Sequence, residues 1–499
     1  MATKVNRSLF DKIKCPYCFK EFSHLDVLFR SMTVFEEYEL DPTGENLSVD
    51  EIKFNMPPGH QLEVRLNEYR RRERFLLKDD YLYNNFWKDY GGTSESGTGI
   101  NEAVLDYRRP ILTPSDKNTV ARADLDEDGF LYKIEDVYGK ESYDRVCPRC
   151  HNPLPSGYGK HPVKFISVIG ISSSGKTVFL SKLADDLGTY LAKLNMTALP
   201  ATKWSRNFSV ENKIALGRPL PGGNPIQYMS QPLFYDISYS VHDNIEESML
   251  VFYDIAGESC VDSAKIKAFG KFVMNSSGLI IMIDPKQFRV LDGTAESLTD
   301  SVLATLKNTI TTHGQVEIPT AICISKSDLM YHLLAKDTPI CYEDVRTIKK
   351  GNQMYFCATD YNQISKAIHD FIESFDKQIN VTLNNIYNYY NYFAFTALNG
   401  SVNEDELGRK IPEKEPDPKR IEEPLFWIFK EFGYIDSDIP VCEYSKIGCK
   451  VANLRKQIND LQLEYDETPV YHVVVRNKIK KERDQYKAEL EELLSKSKK

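Results

Sequence analysis

The octapeptide at residues 170–177 constrains the fold of this chain more than any other feature. It reads Gly-Ile-Ser-Ser-Ser-Gly-Lys-Thr and follows an apolar stretch, 163–170, that is typical of a buried strand. The residues after it have the spacing of an amphipathic helix, with Phe179 and Leu183 on the apolar face. Glycines let such a loop curl so that its N–H groups and the helix N-terminus surround phosphate oxygens. The segment therefore predicts a strand, a phosphate-binding loop and a helix.

Two side chains at the end of this loop have predicted chemical roles. Lys176 is placed to reach the β- and γ-phosphates of a nucleotide, and Thr177 to supply a hydroxyl to Mg²⁺. The other predicted nucleotide contacts come from the backbone and small side chains of Gly170, Ser172, Ser173, Ser174, Gly175 and Val178. The sequence thus predicts a nucleoside triphosphate site, with Lys176 and Thr177 as candidate catalytic residues.

A second buried strand pattern, 249–253, ends at Asp-Ile-Ala-Gly-Glu. In this D-x-x-G arrangement Asp254 would hold Mg²⁺ through a water molecule, and the N–H of Gly257 would meet the γ-phosphate. Glu258 is the third candidate catalytic residue, because Ras-like enzymes carry at this position the glutamine that orients the attacking water. A carboxylate there acts more weakly or as a base, so we expect slow intrinsic hydrolysis.

Two later strand patterns end at motifs that would bind the base. The run Ser-Lys-Ser-Asp at 325–328 is close to the [NT]-K-x-D motif, whose carboxylate accepts the N1–H and N2–H₂ of guanine. The run Thr-Ala-Leu at 396–398 is similar to the loop whose alanine N–H contacts guanine O6. The predicted base-site residues are Ser325, Lys326, Asp328, Thr396 and Ala397. Such a site rejects adenine by roughly 10⁴-fold, and all four motifs end predicted parallel strands, so the sequence predicts a GTPase.

The stretch 195–231 occupies the place of switch I, the segment that responds to the γ-phosphate. None of its threonines stands out as the expected Mg²⁺ ligand. Thr202 is the first candidate, and Asn224 is the weaker one. In a regulatory switch, contacts to the γ-phosphate order this stretch and partners detect its state.

Four of the ten cysteines form two C-x-x-C pairs: Cys15, Cys18, Cys147 and Cys150. Each pair can place two thiolates about 2.3 Å from a tetrahedral Zn²⁺, and together they complete one four-cysteine site. Two alternatives treat the pairs separately: a glutaredoxin-like redox site at the first, and a haem attachment at the second, which His151 follows. The first lacks a preceding buried strand and the second lacks an export signal. We therefore predict one shared zinc, with 19–146 as an insertion.

Within this insertion, residues 124–135 match the D-x-D-x-D-G-x5-E pattern of a calcium loop. The alternative is an acidic Asp-Gly turn that opens a strand, because turns favour these residues. Only weak helical patterns flank the stretch. The sequence leaves both interpretations open.

A chain of 499 residues has room for several domains, and we expect three. They are a split zinc ribbon with an α+β insertion at 1–160, a Ras-like P-loop domain of mostly parallel sheet flanked by helices at 161–435, and a helical tail at 436–499. In the tail, heptad-like apolar spacing is interrupted at Pro469, which fits either a partner-binding helical hairpin or a helix folded onto the core. We expect metal loss to unfold the first domain and leave the second able to bind nucleotide.

Composition excludes some classes of function. The net charge of −9 gives no general attraction to nucleic acid, whose binding would need a local basic patch and stays open. No apolar run is long enough to span a bilayer, and the N-terminus lacks an apolar signal segment. We expect a cytoplasmic protein whose other six cysteines are reduced thiols.

Six segments together carry a family resemblance: 13–18, 28–30, 145–155, 169–177, 254–258 and 421–427. They look like the bacterial double-GTPase (DO-GTPase) family, a TRAFAC-class, Ras-like group. The resemblance implies GTP and GDP as ligands, an N-terminal zinc ribbon, and a second GTPase as protein partner in a conflict or defence system. Partner contacts are expected through the C-terminal helices or the zinc-ribbon region. Two other functions remain open: an ATP-using P-loop enzyme, and a scaffold that holds nucleotide without turnover.

Overall fold

The structure is a computed structural model. It describes residues 12–32, 81–88, 111–170, 174–222, 231–241, 244–255, 271–287, 316, 318–333, 345–351, 353–375, 377–441, 454, 457–458, 461–462, 464–465, 468–469 and 472–496.

The N-terminal part consists of short antiparallel strands. Its elements are β1 (Ile13–Lys14), β2 (Glu21–Phe22), β3 (Leu28–Arg30), α1 (Tyr81–Lys88), β4 (Ile111–Leu112), β5 (Val120–Leu125), β6 (Leu131–Asp136), β7 (Glu141–Ser142) and β8 (Arg145–Val146). β1 pairs with β2, β3 lies between β4 and β8, and β6 lies between β5 and β7. Because β8 pairs with β3, residues just before the second C-x-x-C pair lie beside residues that follow the first pair.

The stretch 124–135 forms the hairpin between β5 and β6. Asp126 Oδ1 accepts hydrogen bonds from the backbone N–H of Asp128 (3.0 Å) and of Phe130 (2.9 Å), and Gly129 has φ 84°. The carboxylates of Asp126 and Asp128 lie 2.6 and 2.9 Å from Lys160 Nζ. Strands, not helices, flank the loop. The structure therefore shows the Asp-Gly turn, and its acidic side chains are neutralised by a lysine.

The remaining elements follow the C-x-x-C pairs in the chain. They are β9 (Val163–Gly170), α2 (Lys176–Ala192), β10 (Thr197–Pro200), α3 (Lys203–Glu211), β11 (Leu233–Val241), β12 (Asn244–Asp254), β13 (Gly278–Ile283), β14 (Thr320–Ile324), β15 (Thr347–Lys350), β16 (Gln353–Phe356), α4 (Ala358–Phe375), α5 (Lys377–Ile386), β17 (Tyr390–Ala394), β18 (Val402–Glu404), β19 (Lys410–Pro412), α6 (Glu423–Phe432), β20 (Asp436–Ser437) and α7 (Val473–Lys496).

A seven-stranded sheet organises this part, in the order β10-β11-β12-β9-β13-β14-β17. The five strands from β12 to β17 are parallel, and β11 and β10 extend the sheet antiparallel at one side. The C-terminal ends of the parallel strands therefore meet at one edge, where open α/β sheets bind ligands. The expected α/β class with a mostly parallel central sheet is confirmed.

Both faces of the sheet are covered, which is why its central strands are apolar along their whole length. All six residues of β13 are buried. In β9, Phe165 and Ile169 point to one core, while Ile166 and Val168 point to the other. Helices α2 and α6 contribute to the second core, with Trp427 of α6 fully buried.

The first core also contains the cysteine-bearing region. The hydroxyl of Tyr253 in β12 donates to the carbonyl oxygen of Pro16 at 2.7 Å. The ring of Phe19 lies 5.8, 6.0 and 5.0 Å from the rings of Phe165, Tyr253 and Phe272, measured between centroids. The region expected to be an independent domain at 1–160 therefore packs on the sheet and shares its hydrophobic core.

The described part of residues 436–499 begins with β20, which belongs to a three-stranded sheet with β15 and β16. β20 pairs with β16, so the boundary expected at 435 falls inside a small sheet. In the described part of the tail, Arg483 Nη1 donates to Gln462 Oε1 at 2.5 Å, and the Arg476 guanidinium lies 3.9 Å from the centroid of the Tyr465 ring. These contacts join α7 to Gln462 and Tyr465, which precede it in the chain. Among the described residues, no helix combines the length and apolar composition that a membrane crossing requires.

Candidate functional site

The phosphate-binding loop joins β9 to α2, as predicted. Gly175 caps α2 with φ 85°, a left-handed conformation that favours glycine. At Gly170, an added Cβ would lie 2.5 Å from Ser174 Oγ and 2.8 Å from the carbonyl oxygen of Met282. Both glycines are therefore required by the backbone. Ile171, Ser172 and Ser173 lie outside the described residues.

The side chains of Lys176 and Thr177 lie at the start of α2. Lys176 Nζ donates to the carbonyl oxygen of Gly170 at 2.9 Å, so the ammonium lies within its own loop. Thr177 Oγ1 donates to Asp254 Oδ2 at 3.0 Å. This contact forms because Asp254 ends β12, which is paired in parallel with β9. The two predicted Mg²⁺ ligands are thus adjacent, although 77 residues separate them in the chain.

The other predicted phosphate-side residues are only partly described. Ala256, Gly257 and Glu258 lie outside the described residues, and so does Asn224. Thr202 is the N-cap of α3, where its Oγ1 accepts the backbone N–H of Ser205 at 3.0 Å and contacts the Ser205 hydroxyl at 2.7 Å. The structure therefore gives Thr202 a capping contact, which a role as Mg²⁺ ligand would have to replace.

The loop after β14 carries the predicted base-site residues. Ser325 donates both its N–H and its hydroxyl to the carbonyl oxygen of Ile283, at 2.9 and 3.2 Å. The N–H of Ser327 donates to the carbonyl oxygen of Phe395 at 3.1 Å, which joins this loop to the end of β17. Asp328 Oδ1 is buried and has no hydrogen-bond partner within the described ranges. A buried carboxylate oxygen in this state is costly unless a ligand donates to it.

The loop after β17 holds Thr396 and Ala397 beside the base-site loop. Thr396 exchanges two backbone hydrogen bonds with Lys419, at 3.1 and 2.9 Å, and its Oγ1 accepts the N–H of Asn399 at 2.9 Å. Since β14 and β17 are neighbours, the loops at 325–328 and 396–398 leave the sheet side by side. All described members of the predicted nucleotide set are therefore at one edge of the sheet.

The two C-x-x-C pairs meet in the first core. Sγ of Cys15 lies 3.6 Å from that of Cys150, Sγ of Cys18 lies 3.8 Å from that of Cys147, and all four lie within 4.8 Å of one another. Four sulfurs at about 2.3 Å from one tetrahedral Zn²⁺ would be about 3.8 Å apart, so the observed spacing fits the metal.

The backbone around these cysteines also fits a metal site. The N–H of Tyr17 points to Cys15 Sγ at 3.4 Å, and the N–H of Arg149 points to Cys147 Sγ at 3.3 Å. Burial raises the pKa of the Cys15 thiol, so an ionised sulfur there needs a cation. The closest contacts join cysteines of different pairs, and both single-pair alternatives, redox and haem, leave this arrangement unexplained.

One side chain at this edge of the sheet has no role predicted from the sequence. Asp284 directly follows β13, is 4% exposed, and forms an ion pair with Lys326. The sequence contains a signal for it, because Asp284, like Asp254, is a carboxylate at the end of a buried parallel strand. Without the D-x-x-G context, however, the sequence gives such a residue no specific role.

One family model matches part of this chain. Residues 164–371 match the model of the family described as Double-GTPase 2. A solved structure of a mutation variant of SsGBP is 12% identical, with a TM-score of 0.19, over 47% of this chain and 50% of that one. A solved structure of a substitution variant of Era from Aquifex aeolicus, bound to GDP·AlF4⁻, is 11% identical, with a TM-score of 0.22, over 60% of this chain and 68% of that one. The chain thus spans half the length of the first, and no curated protein matches it.

Proposed function

We propose, from the match of residues 164–371 to the Double-GTPase 2 family, that this chain binds guanine nucleotide and hydrolyses GTP with Mg²⁺ as a regulatory switch. The observation that carries the proposal is the edge of the central sheet. There Thr177, at the start of α2, contacts Asp254 at the end of β12, and the buried Asp328 Oδ1 follows β14. Thr177 and Asp254 are suited to phosphates and Mg²⁺, and Asp328 is suited to the N–H donors of guanine.

Each described side chain has a distinct part in this function. Lys176 binds the β- and γ-phosphate oxygens once it leaves the Gly170 carbonyl, since phosphate is the stronger acceptor. Thr177 and Asp254 would hold Mg²⁺, which neutralises charge that develops on the phosphates. Asp328 accepts the two guanine donors. Glu258 follows the D-x-x-G motif and would orient the attacking water, with slow turnover because glutamine is absent there.

The first test identifies the nucleotide. Purified protein, denatured and analysed by chromatography, is expected to release GDP or GTP, since Asp328 Oδ1 is buried where guanine donors would bind. Recovery of ADP or ATP would contradict the proposal and favour the ATP-using enzyme. Incubation with GTP and Mg²⁺ is expected to release phosphate slowly, and GTP that stays intact over many hours would instead favour the scaffold.

The Mg²⁺ ligand can be tested at Thr177. Thr177→Ala removes the hydroxyl that contacts Asp254, and we expect Mg²⁺-dependent GTP affinity to fall roughly 10- to 100-fold, the scale on which groups around a metal act. Affinity measured in EDTA should change little. Thr347→Ala, in β15, is the matched control and should behave like the wild type. Equal losses with and without Mg²⁺ would show that Thr177 supports the loop and not the metal.

We also infer that Cys15, Cys18, Cys147 and Cys150 bind one Zn²⁺, which supports folding and takes no part in hydrolysis. The sulfur spacing supports this role, and so does the burial of Cys15, Cys147 and Cys150, with Cys18 half-buried. The partner is a further proposal. A second GTPase, engaged through α7 or the cysteine-bearing region, is the first one to test, with GTP-dependent co-elution of the two purified proteins as the measurement.

A further inference from the structure

We propose that Asp284 is a positioning residue of the nucleotide site, which holds Lys326 across the phosphate-binding loop. The inference rests on the proposed function, because it concerns how the same site is built. Asp284 is 4% exposed and uses its two carboxylate oxygens differently. Oδ2 accepts the ammonium of Lys326, and Oδ1 accepts the backbone N–H of Lys286 at 3.0 Å. One oxygen forms an ion pair, and the other closes a turn.

Lys326 has a backbone conformation that needs support. Its φ is 50°, in the left-handed region, which is unfavourable for a non-glycine residue. Hydrogen bonds to neighbouring strands fix the residues on both sides, from Ser325 to Ile283 and from Ser327 to Phe395. The ion pair with Asp284 fixes the side chain as well. The conformation of Lys326 is thus held at its backbone and at its ammonium.

The stem of Lys326 passes beside the phosphate-binding loop. A Cβ added to Gly175 would lie 3.9 Å from Lys326 Cε, an ordinary van der Waals distance, so a side chain at this position would contact the lysine stem. Gly175 directly precedes Lys176. Asp284 therefore connects, through one lysine side chain, the end of β13, the loop after β14 and the loop after β9.

Through Lys326, Asp284 can also affect the residue that would bind the base. Lys326 caps the short helix Ser327–Met330, which contains Asp328. If the ammonium of Lys326 is released, both the lysine stem and the turn that carries Asp328 lose a constraint. Guanine binding should then weaken, and the advantage that Asp328 gives to a base with an N2 amino group should shrink, because a displaced carboxylate pairs with fewer donors.

Asparagine at position 284 separates the two oxygens' roles. Asp284→Asn keeps an oxygen that can accept the Lys286 N–H but removes the charge that pairs with Lys326. Asp284→Ala removes both contacts. A purely structural turn role predicts that the asparagine variant behaves like the wild type and the alanine variant does not. A positioning role predicts that both lose nucleotide affinity.

The experiment compares GDP and IDP binding, since IDP lacks the N2 amino group. We expect Asp284→Asn to weaken GDP about tenfold and to narrow the preference for GDP over IDP. In a Lys326→Met background the same change should have little further effect, because residues in one ion-pair network are not additive. Asp370→Asn, an exposed carboxylate on α4, is the control and should match the wild type.

Three results would overturn the inference. GDP affinity and base preference within twofold of wild type in Asp284→Asn would leave only the turn role. Losses that multiply in the double variant would show that Asp284 and Lys326 act independently. A wild-type protein that binds no guanine nucleotide would overturn the proposed function itself, and this outcome is separate from the first two because they require normal wild-type binding.

Discussion

Asp328→Asn is expected to weaken GDP and GTP binding by roughly 10⁴-fold, the largest effect of any single change at the base site. Asp328 Oδ1 is buried with no hydrogen-bond partner in the part of the chain that the structure describes, so it is poised for a ligand's donor. Asparagine offers one acceptor and one donor where guanine needs two acceptors. The donor would then face the N2 amino group. Isothermal titration with GDP measures the loss.

Xanthine nucleotides make this test specific. Xanthine carries an oxygen in place of the N2 amino group, so the side-chain amide introduced by Asp328→Asn could donate to it, and XDP binding should improve in the variant while GDP binding collapses. Asp185→Asn, a change at a residue of α2 outside the site, should alter neither. Unchanged GDP affinity would show that Asp328 does not contact guanine. Parallel losses of GDP and XDP would show a disrupted loop and not a changed base preference.

The sequence predicted the parts of the site that local backbone chemistry requires. Gly170 and Gly175 are needed for close approach and for a left-handed φ, so their spacing is visible without any tertiary information. The apolar strands were visible because parallel strands buried on both faces are apolar throughout, as in β13. Asp254 and Asp328 could then be predicted as site residues, because each lies at or shortly after the end of such a strand.

Contacts between distant segments were not predictable in the same way. The hydrogen bond from Tyr253 to Pro16 spans 237 residues, and neither residue has a sequence feature that marks it for the other. An aromatic residue such as Phe19, beside a C-x-x-C pair, fits an independent zinc ribbon equally well. For the same reason the Asp284–Lys326 pair was missed: the order of strands in the sheet decides it, and β13 and β14 become neighbours only in the fold.

The loop at 124–135 shows a different limit. Its acidic spacing satisfies a calcium pattern, but that pattern records only where carboxylates stand in the chain. The structure adds Lys160, which neutralises Asp126 and Asp128 although it is distant from both in the chain. The role of a carboxylate motif thus depends on the cationic side chains that the fold places beside it.

Cys15→Ser is expected to remove zinc from the chain and to destabilise the nucleotide domain together with the cysteine-bearing region. Apparent zinc-binding energies in small zinc domains are about 10 kcal/mol or more, so loss of one thiolate ligand should release the segment around it. That segment includes Phe19, whose ring packs against Phe165 and Phe272 of the sheet's first core. Deleting a fully buried phenylalanine costs about 3–5 kcal/mol, and Phe19 is partly buried against this core, so releasing it should cost a part of that amount. Because the two regions share one core, we expect them to lose stability together.

Elemental analysis and thermal unfolding test this together. The wild type should contain one zinc per chain and unfold in a single transition, whereas Cys15→Ser should contain almost none, melt at a lower temperature and bind GDP poorly. Cys357→Ser is the matched control, because Cys357 is also buried but lies outside the metal set, and it should keep its zinc. Zinc retained in Cys15→Ser, or a reversible disulfide between Cys15 and Cys18, would contradict the shared zinc site. Full GDP affinity in a zinc-free variant would show that the nucleotide domain folds without the packing of Phe19 and Tyr253. Only an independent domain can lose that contact and keep its ligand site intact.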